Sequence, residues 1–94
     1  LAKLNRVEES IQEYDLAIKY DPKDSPAYHQ KGMVLANNGR FEEAIVEFNN
    51  AIKYTSNEPE YHYFKALALS EIGRKKEAKR SFEKVKELGG FSKK

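Results

Sequence analysis

The sequence predicts an all-α protein built from stacked helix pairs, and two observations support this. First, the chain repeats itself with a period of 34 residues, so that Gly39 falls on Gly73 and Phe48 falls on Phe82. Second, apolar residues within each unit recur at three- and four-residue spacing, which is the spacing of one helix face. Because one helix pair cannot cover its own apolar face, neighbouring units must stack to form a continuous core.

The first two helices are predicted near residues 7–20 and 25–38. The first carries an apolar stripe and ends at Asp21-Pro22, because a residue that precedes proline avoids helical backbone. Ser25 is predicted as the N-cap of the second, with Pro26 at the first helical position. Gly39 ends the second helix, since glycine accepts left-handed backbone without steric cost.

The remaining helices are predicted near residues 41–54, 59–72 and 75–88. Glu58-Pro59 opens the fourth helix and Gly73 ends it. Gly89-Gly90 ends the fifth helix and leaves residues 89–94 as a tail. The third helix has the clearest apolar stripe, which consists of Phe41, Ala44, Ile45, Phe48, Ala51 and Ile52.

The two complete units share a pattern of small and large residues that resembles the tetratricopeptide repeat (TPR). The unit at 25–58 reads Tyr28-x2-Lys31-Gly32-x2-Leu35 and Ala44-x3-Phe48; the unit at 59–92 reads His62-x2-Lys65-Ala66-x2-Leu69 and Ala78-x3-Phe82. Lys31 and Lys65 depart from the family, which usually has Leu there, and His62 replaces an aromatic residue. The resemblance implies a right-handed α-α superhelix of about two and a half to three repeats. They are a partial repeat at 1–24, a second repeat at 25–58 and a third at 59–88.

The last helix is predicted to cap the array. Three residues that are apolar in the second repeat become lysines in the third, namely Lys75, Lys79 and Lys86 in place of Phe41, Ile45 and Ile52. A terminal repeat needs such a polar outer face. Electrostatic binding of nucleic acid is the alternative interpretation, but acidic residues alternate with the lysines and no stacking aromatic residue accompanies them.

The first helix is predicted to have an uncovered face. Leu1 aligns with Leu35, so residues 1–4 are expected to be only the last turn of a preceding helix. The apolar stripe of the helix at 7–20 then needs either further repeats or a second copy of the chain. The candidate self-association edge consists of Val7, Ile11, Tyr14 and Ile18.

The resemblance also places a candidate binding groove on the concave side, which the first helix of each repeat lines. Its apolar residues are Met33, Tyr63, Phe64 and Leu67, although Phe64 and Tyr63 have the alternative of packing between helices. TPR domains that bind chaperone C-terminal carboxylates carry Asn, Lys and Arg where this chain has Gln30, Glu60 and Phe64, so such a clamp is not expected. The full candidate set is His29, Gln30, Met33, Asn37, Glu60, Tyr63, Phe64, Leu67 and Glu71.

The sequence contains no pattern that indicates catalysis, a cofactor or a metal. It lacks cysteine, and His29 and His62 lie one repeat apart without acidic neighbours at ligand spacing. No apolar run reaches about 18 residues, so we expect no membrane span and a cytoplasmic location. The sequence therefore predicts a non-catalytic scaffold that binds a protein or peptide in its groove, with self-association as the alternative.

Overall fold

A computed structural model describes the backbone of residues 2–90 and the side chains of residues 6–90. The described chain forms five α-helices and no strand, which confirms the all-α prediction. Each helix packs against the next along the chain, as in a solenoid. The helices are α1 (Ala2–Tyr20), α2 (Ser25–Asn37), α3 (Phe41–Tyr54), α4 (Pro59–Glu71) and α5 (Lys75–Glu87).

The start of α1 differs from the sequence prediction. Residues 2–4 were expected to end a separate helix, with a turn at Asn5-Arg6, but α1 runs without interruption from Ala2. The corresponding turns after α2 and α4 contain Gly39 and Gly73, whose φ angles are 78° and 82°. Asn5 stands at that position in the first repeat, and asparagine adopts left-handed backbone less readily than glycine. The helical conformation therefore continues through it.

The N-cap of α2 is Asp24 rather than the predicted Ser25. The Asp24 carboxylate accepts a hydrogen bond from the backbone N–H of Ala27 at 3.2 Å, which satisfies one of the free donors of the first turn. Ser25 is buried instead, and its hydroxyl lies 2.7 Å from the hydroxyl of Thr55. That bond ties the start of α2 to the end of α3.

The two helices of the second repeat, α2 and α3, are in close contact at Gly32. A Cβ atom added to Gly32 would lie 2.6 Å from Cε1 of Phe48. Phe48 has no exposed surface, and Ala44 and Ala51 beside it are equally buried. Only glycine at this position allows the Phe48 ring to lie directly against the α2 backbone.

Two basic residues join the partial first repeat to the second. Lys31 pairs with Asp15 of α1 at 2.8 Å and with Glu47 of α3 at 3.3 Å. Arg40 similarly bridges Glu8 and Glu43, at 3.1 Å and 2.7 Å. The family usually has Leu at this position. Lys31 is accommodated here because carboxylates on both neighbouring helices neutralise its charge.

We predict that Gly32→Ala destabilises the protein, although alanine is the better helix former. Alanine gains about 1 kcal/mol in helix propensity, whereas forcing a methyl group into a filled core costs typically 1–3 kcal/mol. A net loss of up to about 2 kcal/mol in the free energy of unfolding is expected from urea denaturation.

The double variant Gly32→Ala/Phe48→Leu is the control, because the smaller side chain removes the clash. The Gly32→Ala substitution should cost less in the Phe48→Leu background than in the wild type. Equal costs in both backgrounds would contradict the packing explanation.

Candidate binding groove

A cleft of about 200 Å³ opens where α2, α3 and α4 meet. Met33, Ala36 and Asn37 line it from α2, at the spacing that places residues on one helix face. Phe64, Leu67, Ala68 and Glu71 line it from α4 at the same spacing, and Phe41 and Phe48 contribute from α3. The cleft therefore brings together five of the nine predicted groove residues, which are Met33, Asn37, Phe64, Leu67 and Glu71.

The cleft has an apolar floor and a polar rim. Met33 and Phe64 are half-buried and pack against the main hydrophobic core. Leu67 has 38% of its surface exposed. Asn37 and Glu71 are exposed at the end of the cleft where α2 and α4 terminate. An apolar depression with polar groups around it is typical of a recognition surface.

His29 does not face the groove, so this prediction is wrong. Only 6% of the residue is exposed, and its imidazole packs against three aromatic rings. The ring centroids of Tyr61, Phe48 and Phe64 lie 4.6, 5.5 and 5.6 Å away. Two of these rings belong to the next repeat, so the imidazole forms part of the contact between repeats.

The imidazole of His29 is held in its neutral form. Its Nδ1 atom is buried and has no hydrogen-bond partner among the described residues. Burial lowers the pKa of His29 below its ordinary value of 6.5, and the opposing effect of the Glu58 charge is smaller. Protonation would place an unpaired charge between aromatic rings.

Tyr63 and Phe64 lie in different surroundings, although they are neighbours in sequence. Tyr63 is half-buried and meets Phe64 and Phe82 edge to face, at centroid distances of 5.3 and 5.9 Å. It is not among the side chains that line the cleft, whereas Phe64 both lines the cleft and packs on His29. The packing alternative therefore describes Tyr63, and Phe64 has both roles.

Besides His29 and Tyr63, two further predicted groove residues lie outside this cleft. Gln30 and Glu60 are exposed on earlier turns of α2 and α4, away from the helix ends where the cleft lies. The predicted set also lacks four residues that line the cleft, which are Ala36, Phe41, Phe48 and Ala68. Ala36 and Ala68 could have been found, because they follow Met33 and Phe64 by three and four residues.

The predicted self-association edge is not an open surface. Ile11 is 9% exposed and belongs to the same core cluster as Leu35 and Ile45, and Val7 packs against that cluster. Tyr14 and Ile18 are half-buried. Ile11 and Val7 thus lie in the packing between α1 and α2. Among the described side chains of α1, Leu16 has 54% and Tyr20 has 85% of its surface exposed.

The described residues contain no candidate metal site. His62 is 8% exposed, and its Nε2 donates to the backbone carbonyl of Ser56 at 2.9 Å. No group of three or more His, Cys, Asp or Glu side chains in the described chain could hold a metal ion. No described helix is both long enough and apolar enough to cross a membrane.

Comparison with known families identifies the class of protein. Two family models described as tetratricopeptide repeat match residues 13–46 and residues 1–24 together with 59–88. A third, described as TPR repeat, matches residues 32–73. The chain belongs to the tetratricopeptide repeat family, as its 34-residue pattern and its helix pairs predicted. No curated protein matches it significantly in sequence.

Solved structures of two proteins share this fold. MamA from Desulfovibrio magneticus RS-1, solved from residue 41 to its end, superposes with a TM-score of 0.84 at 22% identity, over 95% of this chain and 50% of that one. MamA AMB-1 superposes with a TM-score of 0.73 at 33% identity, over 90% of this chain and 53% of that one. The second TPR of Spaghetti (RPAP3), solved with the HSP90 peptide SRMEEVD, superposes with a TM-score of 0.84 at 24% identity, over 92% of this chain and 80% of that one. This chain therefore spans about half the length of the MamA structures it matches.

We predict that His29 makes stability depend on pH. Because the pKa of His29 is lowered in the folded protein, the unfolded chain binds a proton more readily. The free energy of unfolding should therefore fall as the pH drops through about 6.5, by at most about 1.4 kcal/mol per pH unit for one proton. Urea denaturation at pH 7.5 and pH 5.5 measures the change.

His29→Phe is the control for the other titrating groups, because it keeps an aromatic ring and removes the proton site. The margin in stability between the variant and the wild type should shift in favour of the variant toward low pH. A margin that stays constant between the two pH values would assign the pH dependence to other residues.

Proposed function

We propose that this TPR domain is a protein-interaction scaffold that binds an apolar side chain of a partner segment in the cleft between α2 and α4. The observation that carries the proposal is the convergence of Met33, Phe64 and Leu67 on one open cleft with Asn37 and Glu71 at its rim. The methionine suits a surface that adapts to its ligand, because its thioether chain is flexible and polarisable.

The dimensions of the cleft favour a side-chain anchor. At about 200 Å³, it is smaller than the roughly 300–1,000 Å³ of sites that enclose small molecules. A bound helix or extended segment would place one large apolar residue over Phe64 and Met33. The Asn37 amide both donates and accepts hydrogen bonds, so it could satisfy the backbone of that segment at the rim.

The charges around the cleft favour a partner without a terminal carboxylate. Glu71 lies at the rim, and Glu60 is exposed on an earlier turn of α4. Glu71 would repel an acidic chain end at close range, and Glu60 adds a weaker repulsion from farther away. The second TPR of Spaghetti (RPAP3) was solved with a bound peptide, which supports peptide binding by this fold. The acidic residues here favour a neutral or basic segment with an apolar anchor.

Self-association, the alternative function, has less support. The edge assigned to it from the sequence packs on α2, and Ile11 is part of the core. Leu16 and Tyr20 are exposed on α1, but neither of them lines the cleft between α2 and α4. The groove is therefore the stronger basis for function.

We predict that Met33→Glu and Leu67→Glu each abolish most peptide binding. Peptides would be selected from a random library on the wild-type domain, and their affinities measured by fluorescence anisotropy. Burying one apolar anchor is worth about 1.5–3 kcal/mol, so either substitution should raise the Kd by about tenfold to 150-fold.

Val46→Glu is the matched control, because Val46 is 56% exposed and does not line this cleft. It introduces the same charge and should leave the Kd unchanged within about twofold, well below the effect of a lost apolar anchor. Circular dichroism must show that all three variants remain folded. Affinity that is lost equally in the control, or kept in both cleft variants, would refute the proposal.

A further inference from the structure

A second cleft, of about 300 Å³, lies on the outer face of α5 at the other end of the stack. Ala78 and Phe82 form its apolar part. Lys75, Lys79 and Lys86 surround them together with Glu83. The groove residues between α2 and α4 take no part in this cleft, so it is a separate surface.

The equivalent residues of the preceding repeat indicate which shape of ligand fits this cleft. One repeat earlier, Ala44 and Phe48 correspond to Ala78 and Phe82, and there they are fully buried. What covers them on that side is α4, whose Ala68 and Leu69 belong to the same core cluster. The cleft on α5 is therefore the equivalent of a site that already receives a helix in this molecule.

The rim of the cleft differs from its counterpart in charge. Lys75 and Lys79 replace Phe41 and Ile45, both of which pack in the core one repeat earlier. The ion pairs of α5 within residues 6–90 are Arg74–Glu77 and Lys84–Glu87, so the three cleft lysines have no carboxylate partner there. A polar cap needs charge for solubility, but it does not need a half-buried aromatic ring such as Phe82 between the charges.

We propose that this face binds an amphipathic helix of a partner protein, with a narrow apolar stripe flanked by acidic residues. The stripe would cover Ala78 and Phe82 as α4 covers their counterparts. Glutamates or aspartates on both sides of the stripe would meet Lys75, Lys79 and Lys86, and complementary charge of this kind fixes both the partner and its register.

A second copy of this chain fits the face less well than a partner. The acidic helix that it could offer is α1, but two of its carboxylates, those of Glu8 and Asp15, are paired with Arg40 and Lys31, and its apolar residue Ile11 lies in the core. The last residues of the chain include Lys93 and Lys94, whose charge has the same sign as the rim. A separate acidic helix therefore remains the best match.

The test uses two labelled synthetic helical peptides with the same Leu/Ala stripe, one flanked by Glu and one by Lys. The acidic peptide should bind the wild-type protein and the basic peptide should not. Lys75→Glu/Lys79→Glu/Lys86→Glu should weaken the acidic peptide by about tenfold or more and allow the basic peptide to bind. Fluorescence anisotropy measures both.

The matched control is Lys76→Glu/Arg80→Glu/Lys84→Glu, which changes the net charge equally at exposed residues of α5 outside the cleft. It should alter the acidic peptide's Kd by less than about threefold, since long-range charge alone is screened by salt. Met33→Glu should have no effect, which separates this face from the groove.

Three results would overturn the proposal. They are the absence of binding by the acidic peptide, an equal loss of binding in the two triple variants, and self-association of the wild type that only the cleft variant abolishes. Sedimentation velocity without peptide detects the last of these, which would identify a second copy as the occupant.

Discussion

The structure depends on the position of one ring, that of Phe48. It lies against the backbone of α2 at Gly32, where no side chain could fit, and its centroid is 5.5 Å from the imidazole of His29. It also lines the groove beside Phe64 of the next repeat. The same side chain therefore closes the helix pair, contributes to the contact between repeats and forms the floor of the cleft. Because these roles share one ring, a substitution at Phe48 would disturb both the packing of the helices and the shape of the cleft.

The sequence predicted the repeat and the helices because both follow from local spacing. A period of 34 residues, a glycine after α2 and α4 and a proline at the start of each of those helices indicate the architecture without tertiary information. Met33, Phe64 and Leu67 were assigned to a groove from the resemblance to TPR proteins, which implies the side of the stack that each helix lines. Stacking of the repeats then brings these three side chains to one cleft.

The failures share a different cause, which is that each depended on a partner in another helix. His29 looks like a groove residue within α2, but Tyr61 and Phe64 of α4 enclose it. The stripe containing Ile11 looked uncovered because the helix before it was considered rather than the helix after it. Lys31 looked like a departure from the family until Asp15 and Glu47 were seen to neutralise it. Sequence spacing predicts the helix face on which a residue lies, whereas the burial of that residue depends on which helix packs against the face.

The central claim is that a partner binds in the cleft between α2 and α4, and Met33 offers a direct report on it. Met33 is the one methionine in the chain, so the ε-methyl signal of ¹³C-methionine-labelled protein is assigned without further work. The measurement is a titration with a library-selected peptide, followed in parallel by anisotropy and by that methyl signal. The account predicts a saturable shift with the same Kd in both experiments. Full binding by anisotropy with an unmoved Met33 methyl signal would contradict it.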